Sequence, residues 1–216
     1  MFKNVLVTAI RVAYKQKLTT LLNILGIALG IAVSIVLIVH IRYETSYDKH
    51  IPDVDRVYRI TNQIFGENPR HWATTSTPLF YELPEFFPEI EHAARLRPIG
   101  NLAFSFENEN GEIIQFEEAN GCSVDSTFFD VFGIDLIAGN PIDFYEDMLS
   151  LVVTESMAER YFGDENPMGK QLQIEGGEAY VTIKGVIPDC PENSHLNYSF
   201  LLPMNTIRAR MVEGGL

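Results

Sequence analysis

Leu21 to Ile41 reads LLNILGIALGIAVSIVLIVHI, a run of 21 residues without Asp, Glu, Lys or Arg. As a helix it extends about 30 Å, the thickness of a bilayer's hydrocarbon core. A cleaved signal peptide also pairs a basic start with an apolar run. Its apolar region is shorter, however, about 7–15 residues, and a small-x-small cleavage site follows it. Here Arg42, Tyr43 and Glu44 follow, and no cysteine stands near as a lipid anchor. The stretch reads as a retained transmembrane helix.

Working outward, the charge divides sharply. The 216 residues hold 16 Lys+Arg and 29 Asp+Glu, a net −13. Residues 1–20 contain Lys3, Arg11, Lys15 and Lys17 and no acid, a charge of +4. The remaining residues therefore hold −17, the whole charge less that of the start. Such an acidic body repels phosphates, which excludes nucleic acid as a partner. The positive-inside bias makes the four cations cytoplasmic anchors and places residues 43–216 outside, in the periplasm of a Gram-negative cell. The mean hydropathy of +0.03 averages a greasy span with a wet domain. An 11% aromatic content excludes a disordered chain.

Asn4, Thr8, Arg11 and Lys15 recur at helical spacing, with Phe2, Val5, Leu6, Ala9 and Ala13 opposite. Residues 1–20 thus read as an amphipathic helix on the lipid bilayer's inner surface. Inside the span, Gly26 and Gly30 form a GxxxG that Ser34 extends by a turn. Small residues at this spacing let a second helix approach closely, although glycine is also common in membrane helices for other reasons.

Beyond the span, Tyr43 to Ile51 reads as a short stalk ending at Pro52. Arg56 to Ile64 and Ile90 to Leu96 read as strands. Between them Thr77-Pro78 starts a helix that is short or kinked because of Pro84 and Pro88. This order predicts a split βαβ unit. Leu102–Phe106 and Ile113–Glu118 form a hairpin around Asn108-Glu109-Asn110-Gly111. Phe128–Phe132 is a short capped helix and Leu151–Val153 a strand. Thr154 caps a helix through Phe162 that Gly163 stops. Gln171–Ile174 and Tyr180–Val186 make a hairpin about Gly176-Gly177, and Tyr198–Leu202 is a last strand.

The chemistry motifs fail on physical grounds. Gly163 to Gln171 (GDENPMGKQ) resembles a phosphate loop, but five residues separate its glycines instead of four. Gln171 also replaces the Ser or Thr that must hold magnesium, and a strand follows instead of a helix. His40, His50, His71, His92 and His195 make no metal-binding pair, and HExxH, GxSxG and CxxC are absent. Glu107, Glu109, Glu112, Glu117 and Glu118 lack calcium-loop spacing. No catalytic, cofactor or metal residue is therefore assigned. Cys122 and Cys190 would meet oxidising conditions, and spacing leaves their pairing open.

Two stretches resemble one family. The first runs from Asn23-Ile24-Leu25-Gly26-Ile27-Ala28-Leu29-Gly30-Ile31-Ala32 through Tyr47-Asp48-Lys49 to Asp55-Arg56-Val57-Tyr58-Arg59-Ile60. The second is Val152 to Lys170 (VVTESMAERYFGDENPMGK), followed by Gly185-Val186-Ile187-Pro188-Asp189 and Asn193-Ser194-His195-Leu196. FFDVFGIDLIAGNP, Phe128 to Pro141, fits between them. Together they resemble the N-terminal span and MacB-like periplasmic core domain of FtsX-type ABC-transporter permeases.

The resemblance implies an α+β fold: one N-terminal transmembrane helix, then a partial porter-like βαβ layer with an inserted mostly-β subdomain. The expected divisions are an interfacial helix over 1–20, the transmembrane helix over 21–42 and a first porter-like segment over 43–98. The inserted subdomain then covers 99–188, and 189–216 starts the return porter-like segment. The implied role is transmission of motion from a separate cytoplasmic ABC ATPase. The implied partners are that ATPase, other permease helices or a second permease copy, and a periplasmic adaptor. Family permeases have four spans, so the chain is expected to be an opening fragment. The competing expectation is a single-span membrane-anchored binding or sensory module.

Overall fold

The computed structural model describes residues 2–66, 68–107, 111–174 and 179–206; before residue 11 it describes side chains at residues 5, 7 and 8. The hairpin tips at Asn108–Asn110 and Gly176-Gly177, the Lys3 side chain and residues 207–216 lie outside the described residues. The chain divides into two compact units, Met1–Tyr47 and Asp48–Leu216.

The first unit is two helices, α1 (Phe2–Lys15) and α2 (Lys17–Glu44). The break falls at Gln16, whose φ of −108° and ψ of 57° leave the helical region. Lys17 to Thr20 therefore belong to α2 and not to α1. Thr20 Oγ1 donates to the Ala13 carbonyl across the elbow at 3.2 Å. At 28 residues α2 is about 42 Å long, and all of its residues lie unburied within the chain.

The second unit opens with a 3-10 turn (Val54–Arg56), β1 (Asn62–Ile64), β2 (Arg70–Trp72) and α3 (Thr77–Phe86). These depart from the sequence reading. Of Arg56–Ile64 only the last three residues form a strand, paired antiparallel with β2 in an exposed two-stranded ribbon. A β-rich composition makes a strand only where a partner edge is available. Pro84 does not stop α3, which runs through it for two more residues and ends with Phe87 N–H on the Leu83 carbonyl at 2.9 Å. So near the end of an exposed helix, proline removes one bond and little else. Residues 90–95 form no strand. They are held by other contacts: Thr127 Oγ1 donates to the Ala93 carbonyl at 2.6 Å, and Arg95 N–H donates to Asp125 Oδ2 at 2.9 Å. The split βαβ unit expected here is absent among the described residues.

The rest of the unit is β3 (Leu96–Glu107), β4 (Ile113–Val124), α4 (Phe128–Phe132), β5 (Ala138–Gly139), α5 (Pro141–Glu146), β6 (Ser150–Thr154), α6 (Glu155–Phe162), β7 (Gln171–Ile174), β8 (Tyr180–Ile187) and β9 (Phe200–Pro203). The sheet order is β5-β8-β6-β9-β4-β3-β7, and β7 also pairs with β8. Six strands therefore close into a barrel-like ring, with β5 attached outside the cycle. The ring is mixed: β4–β9 and β6–β8 are parallel, the other pairs antiparallel. Closure leaves those six strands without a free edge.

Alternation along the strands selects the interior. Leu151 and Val153, Leu172 and Ile174, Val181 and Ile183, and Phe200 and Leu202 are buried in one cluster with Phe104 and with Met157, Tyr161 and Phe162 of α6. Val152 and Leu201, one residue out of phase, pack on the opposite face against Phe128, Phe129 and Phe144 of α4 and α5. The predicted hairpins, the β6 strand and α6 all take their places in this ring. Thr154 caps α6 by accepting from Met157 N–H at 3.4 Å.

Candidate functional site

In α2 the small-residue positions are open. A side chain on Gly26 or Gly30 would meet nothing within 4 Å, and Ser34 Oγ donates to the Gly30 carbonyl at 2.8 Å. Ser34 thereby satisfies its own hydroxyl and keeps the face small and apolar, which suits close helix approach. Arg11, Lys15 and Lys17 are all exposed.

In the second unit, folding brings together polar groups far apart in sequence. Arg95 grips Asp125 with two donors, Nε to Oδ2 at 2.8 Å and Nη2 to Oδ1 at 2.7 Å. Its guanidinium also lies 4.4 Å from the Phe80 ring centre and 5.2 Å from that of Tyr81, which ties α3 to the end of β4. The Asp125 hydrogen bond raises the Arg95 pKa, while burial, followed by the Asp125 charge, raises that of Tyr145. Glu118, 2% exposed, accepts from Arg160 Nη1 at 2.8 Å. Burial and then the Glu118 charge push the neighbouring Tyr161 phenol up.

A third cluster joins two of the stretches on which the family resemblance rests. Asp48 Oδ1 accepts from His195 N–H at 2.8 Å and Ser194 Oγ at 3.2 Å, and Oδ2 lies 2.6 Å from His195 Nδ1. Although burial opposes it, the hydrogen bonds from His195 and Ser194 hold the Asp48 carboxyl below its ordinary range. Spacing alone gave no reason to select any of the Arg95, Glu118 or Asp48 clusters. The one available signal was that Asp48 and Ser194-His195 sit in the recognised stretches. Cys122 and Cys190 are free thiols within one apolar cluster. Burial pushes Cys122 up to about 11 and raises Cys190.

These arrangements hold elements together; among the described residues, no three His, Cys, Asp or Glu side chains are grouped to bind a metal. The model of the MacB-like periplasmic core domain matches residues 20–215. The chain belongs to the MacB-like periplasmic core domain family. Its fold is similar to a domain of a provisionally named permease protein from Porphyromonas gingivalis, with 28% identity, a TM-score of 0.52 and coverage of 60% of this chain and 58% of that one. Also similar are the periplasmic region of MacB from Actinobacillus actinomycetemcomitans (18% identity, TM-score 0.42, 61% and 58% covered) and the extracellular domain of the noncanonic ABC-type transporter YknZ from Gram-positive bacteria (18%, 0.43, 66% and 67%). The chain spans 58% of the length of the first two. No curated protein sequence matches it.

Proposed function

We propose that this MacB-like chain is the opening part of a permease subunit in an ABC-type export or mechanotransmission complex. A separate cytoplasmic ABC ATPase hydrolyses ATP, and α2 carries the resulting motion to the barrel unit. The observation that supports this best is a single family match running from the membrane helix through the barrel, residues 20–215. In this reading Lys3, Arg11, Lys15 and Lys17 anchor the N-terminus in the cytoplasm of a cell with its inner membrane crossed by α2. Gly26, Gly30 and Ser34 form the face that packs against other permease helices or a second permease copy. Residues 43–98 are a first porter-like segment, 99–188 an inserted subdomain and 189–216 the start of a return segment, with β9 of that return segment paired into the barrel. A periplasmic adaptor is a further proposed partner.

The surface of residues 52–100 supports a larger assembly. None of the described residues there is buried, and Tyr58, Phe65 and Phe86 are 81%, 79% and 70% exposed. Aromatic side chains in that number are normally covered by further protein. The competing reading, an anchored sensory or binding module, has the closed barrel in its favour, since its six strands offer no free edge for further pairing. Purification of the full-length protein from its own membranes decides between them. An ABC ATPase recovered in stoichiometric amount supports the permease; recovery of the protein without one contradicts it.

A further inference from the structure

The residues that lead out of the membrane helix are more ordered than a linker requires. Beyond the end of α2, Thr45 N–H and Oγ1 both donate to the Ile41 carbonyl, at 2.9 and 2.8 Å. Ser46 N–H and Oγ both donate to the Tyr43 carbonyl, at 3.0 and 2.7 Å. The Tyr47 ring stands edge-on to Tyr43 at 5.6 Å. The helical course is thus stiffened up to Tyr47, the last residue of the first unit.

The next residue is Asp48, with φ of 56° in the left-handed region that non-glycine residues seldom occupy. Its backbone N–H donates to the Asn193 carbonyl at 3.0 Å. Its carboxylate takes the His195 amide, the Ser194 hydroxyl and the His195 ring, so both oxygens are used. Four bonds therefore tie one residue to the loop between β8 and β9. Farther along, Ile51 is 6% exposed, and Pro52 fills the space above Gly133, where an added Cβ would come within 2.3 Å. Residues 48–52 are pinned at two points, the β8–β9 loop and the end of α4.

We infer that Asp48 is the positioning residue through which displacement of α2 enters the barrel unit, an inference that rests on the motion-transmitting reading above. With the carboxylate in place, a pull on the backbone at Tyr47–Asp48 moves residues 193–195 and the β9 strand that follows them. Without it, the joint keeps one backbone bond to Asn193, an unfavourable φ and the packing of Ile51 and Pro52, and the pull no longer passes through residues 194–195. A simple turn-forming aspartate would also favour this backbone shape. It would not need Ser194 and His195, and it would not affect what nucleotide does to β9.

The test uses the full transporter with its ATPase in nanodiscs, with hydrogen exchange read over residues 193–203 with and without ADP trapped by vanadate. In the wild type, trapping changes exchange there. In Asp48→Asn and Asp48→Ala, the His195 amide exchanges at least about tenfold faster without nucleotide, because a charge-assisted bond is gone. The nucleotide-dependent change is also lost while ATP hydrolysis continues. His195→Ala, which leaves the Asp48 backbone alone, reduces the same change, and Asp48→Ala adds little to it. A wild-type response that persists undiminished in these variants overturns the role of Asp48 alone. A wild type that shows no response overturns the motion-transmitting reading, and the inference with it.

Discussion

Gly139 has φ of +97°, and a Cβ there would come within 2.1 Å of the Lys184 carbonyl oxygen and 2.8 Å of Gly185 Cα. Both obstacles are β8 backbone, which cannot rotate away as a side chain can. Gly139→Ala is therefore expected to cost about 2–4 kcal/mol, strain and overpacking together. Gly169→Ala shares a positive φ of +79° but meets nothing within 4 Å, so it is expected to cost about 1 kcal/mol. Thermal unfolding of the two variants in detergent checks the difference; equal losses would contradict the packing described here. The buried thiol gives a pH test. Because Cys122 is pushed up to about 11 from 9.0, the native state favours its protonated form. The resulting stabilisation is whole below pH 9 and is lost as pH rises towards 11. Tyr161 and Tyr198 are raised by burial and act in the same direction. Cys122→Ala should flatten, without abolishing, the fall in denaturation midpoint between pH 9 and 11, and an unchanged slope would refute the assignment. Sequence could supply the residue types for these effects but not the contacts. Nothing about spacing shows that His195 reaches Asp48 across 147 positions or that Arg95 meets Asp125.

At the scale of elements, legibility follows locality. The end signals of α6 are local: Thr154 caps it and Gly163 terminates it, so the sequence reading and the structure agree. The strands expected over Arg56–Ile64 and Ile90–Leu96 had suitable composition but depended on partners elsewhere, and most of their residues found none. The prolines of α3 act locally as well: the helix is short and ends before Pro88, while Pro84, two residues from its end, does not stop it. The α2 face carries its own prediction. Gly26→Ile with Gly30→Ile places bulk where nothing now lies within 4 Å, so helix association in the membrane should fall severalfold while insertion is retained. Cysteine crosslinking along α2 in membranes measures it, and unchanged crosslinking would show that this face packs against no helix.

For the whole molecule, the charge partition and the apolar run were readable because they are sums over sequence. The ring was not. Its closure depends on β7 meeting β8 as well as β3, and on β9 inserting between β4 and β6 after a long detour, β4–β9 in parallel. Hydrophobic alternation identifies strands and their buried face but leaves the strand order free. The family resemblance supplied a mostly-β subdomain over 99–188 without its strand order; the described residues close there into a ring that also takes in β9. ATPase-driven motion is proposed to pass through this chain to the periplasm. Its most direct test is the distance between spin labels at Tyr180, 51% exposed on β8, in two permease copies of the assembled transporter. The distance distribution is expected to shift by several ångströms between the nucleotide-free and vanadate-trapped states; superimposable distributions in a transporter shown to be trapped would contradict this.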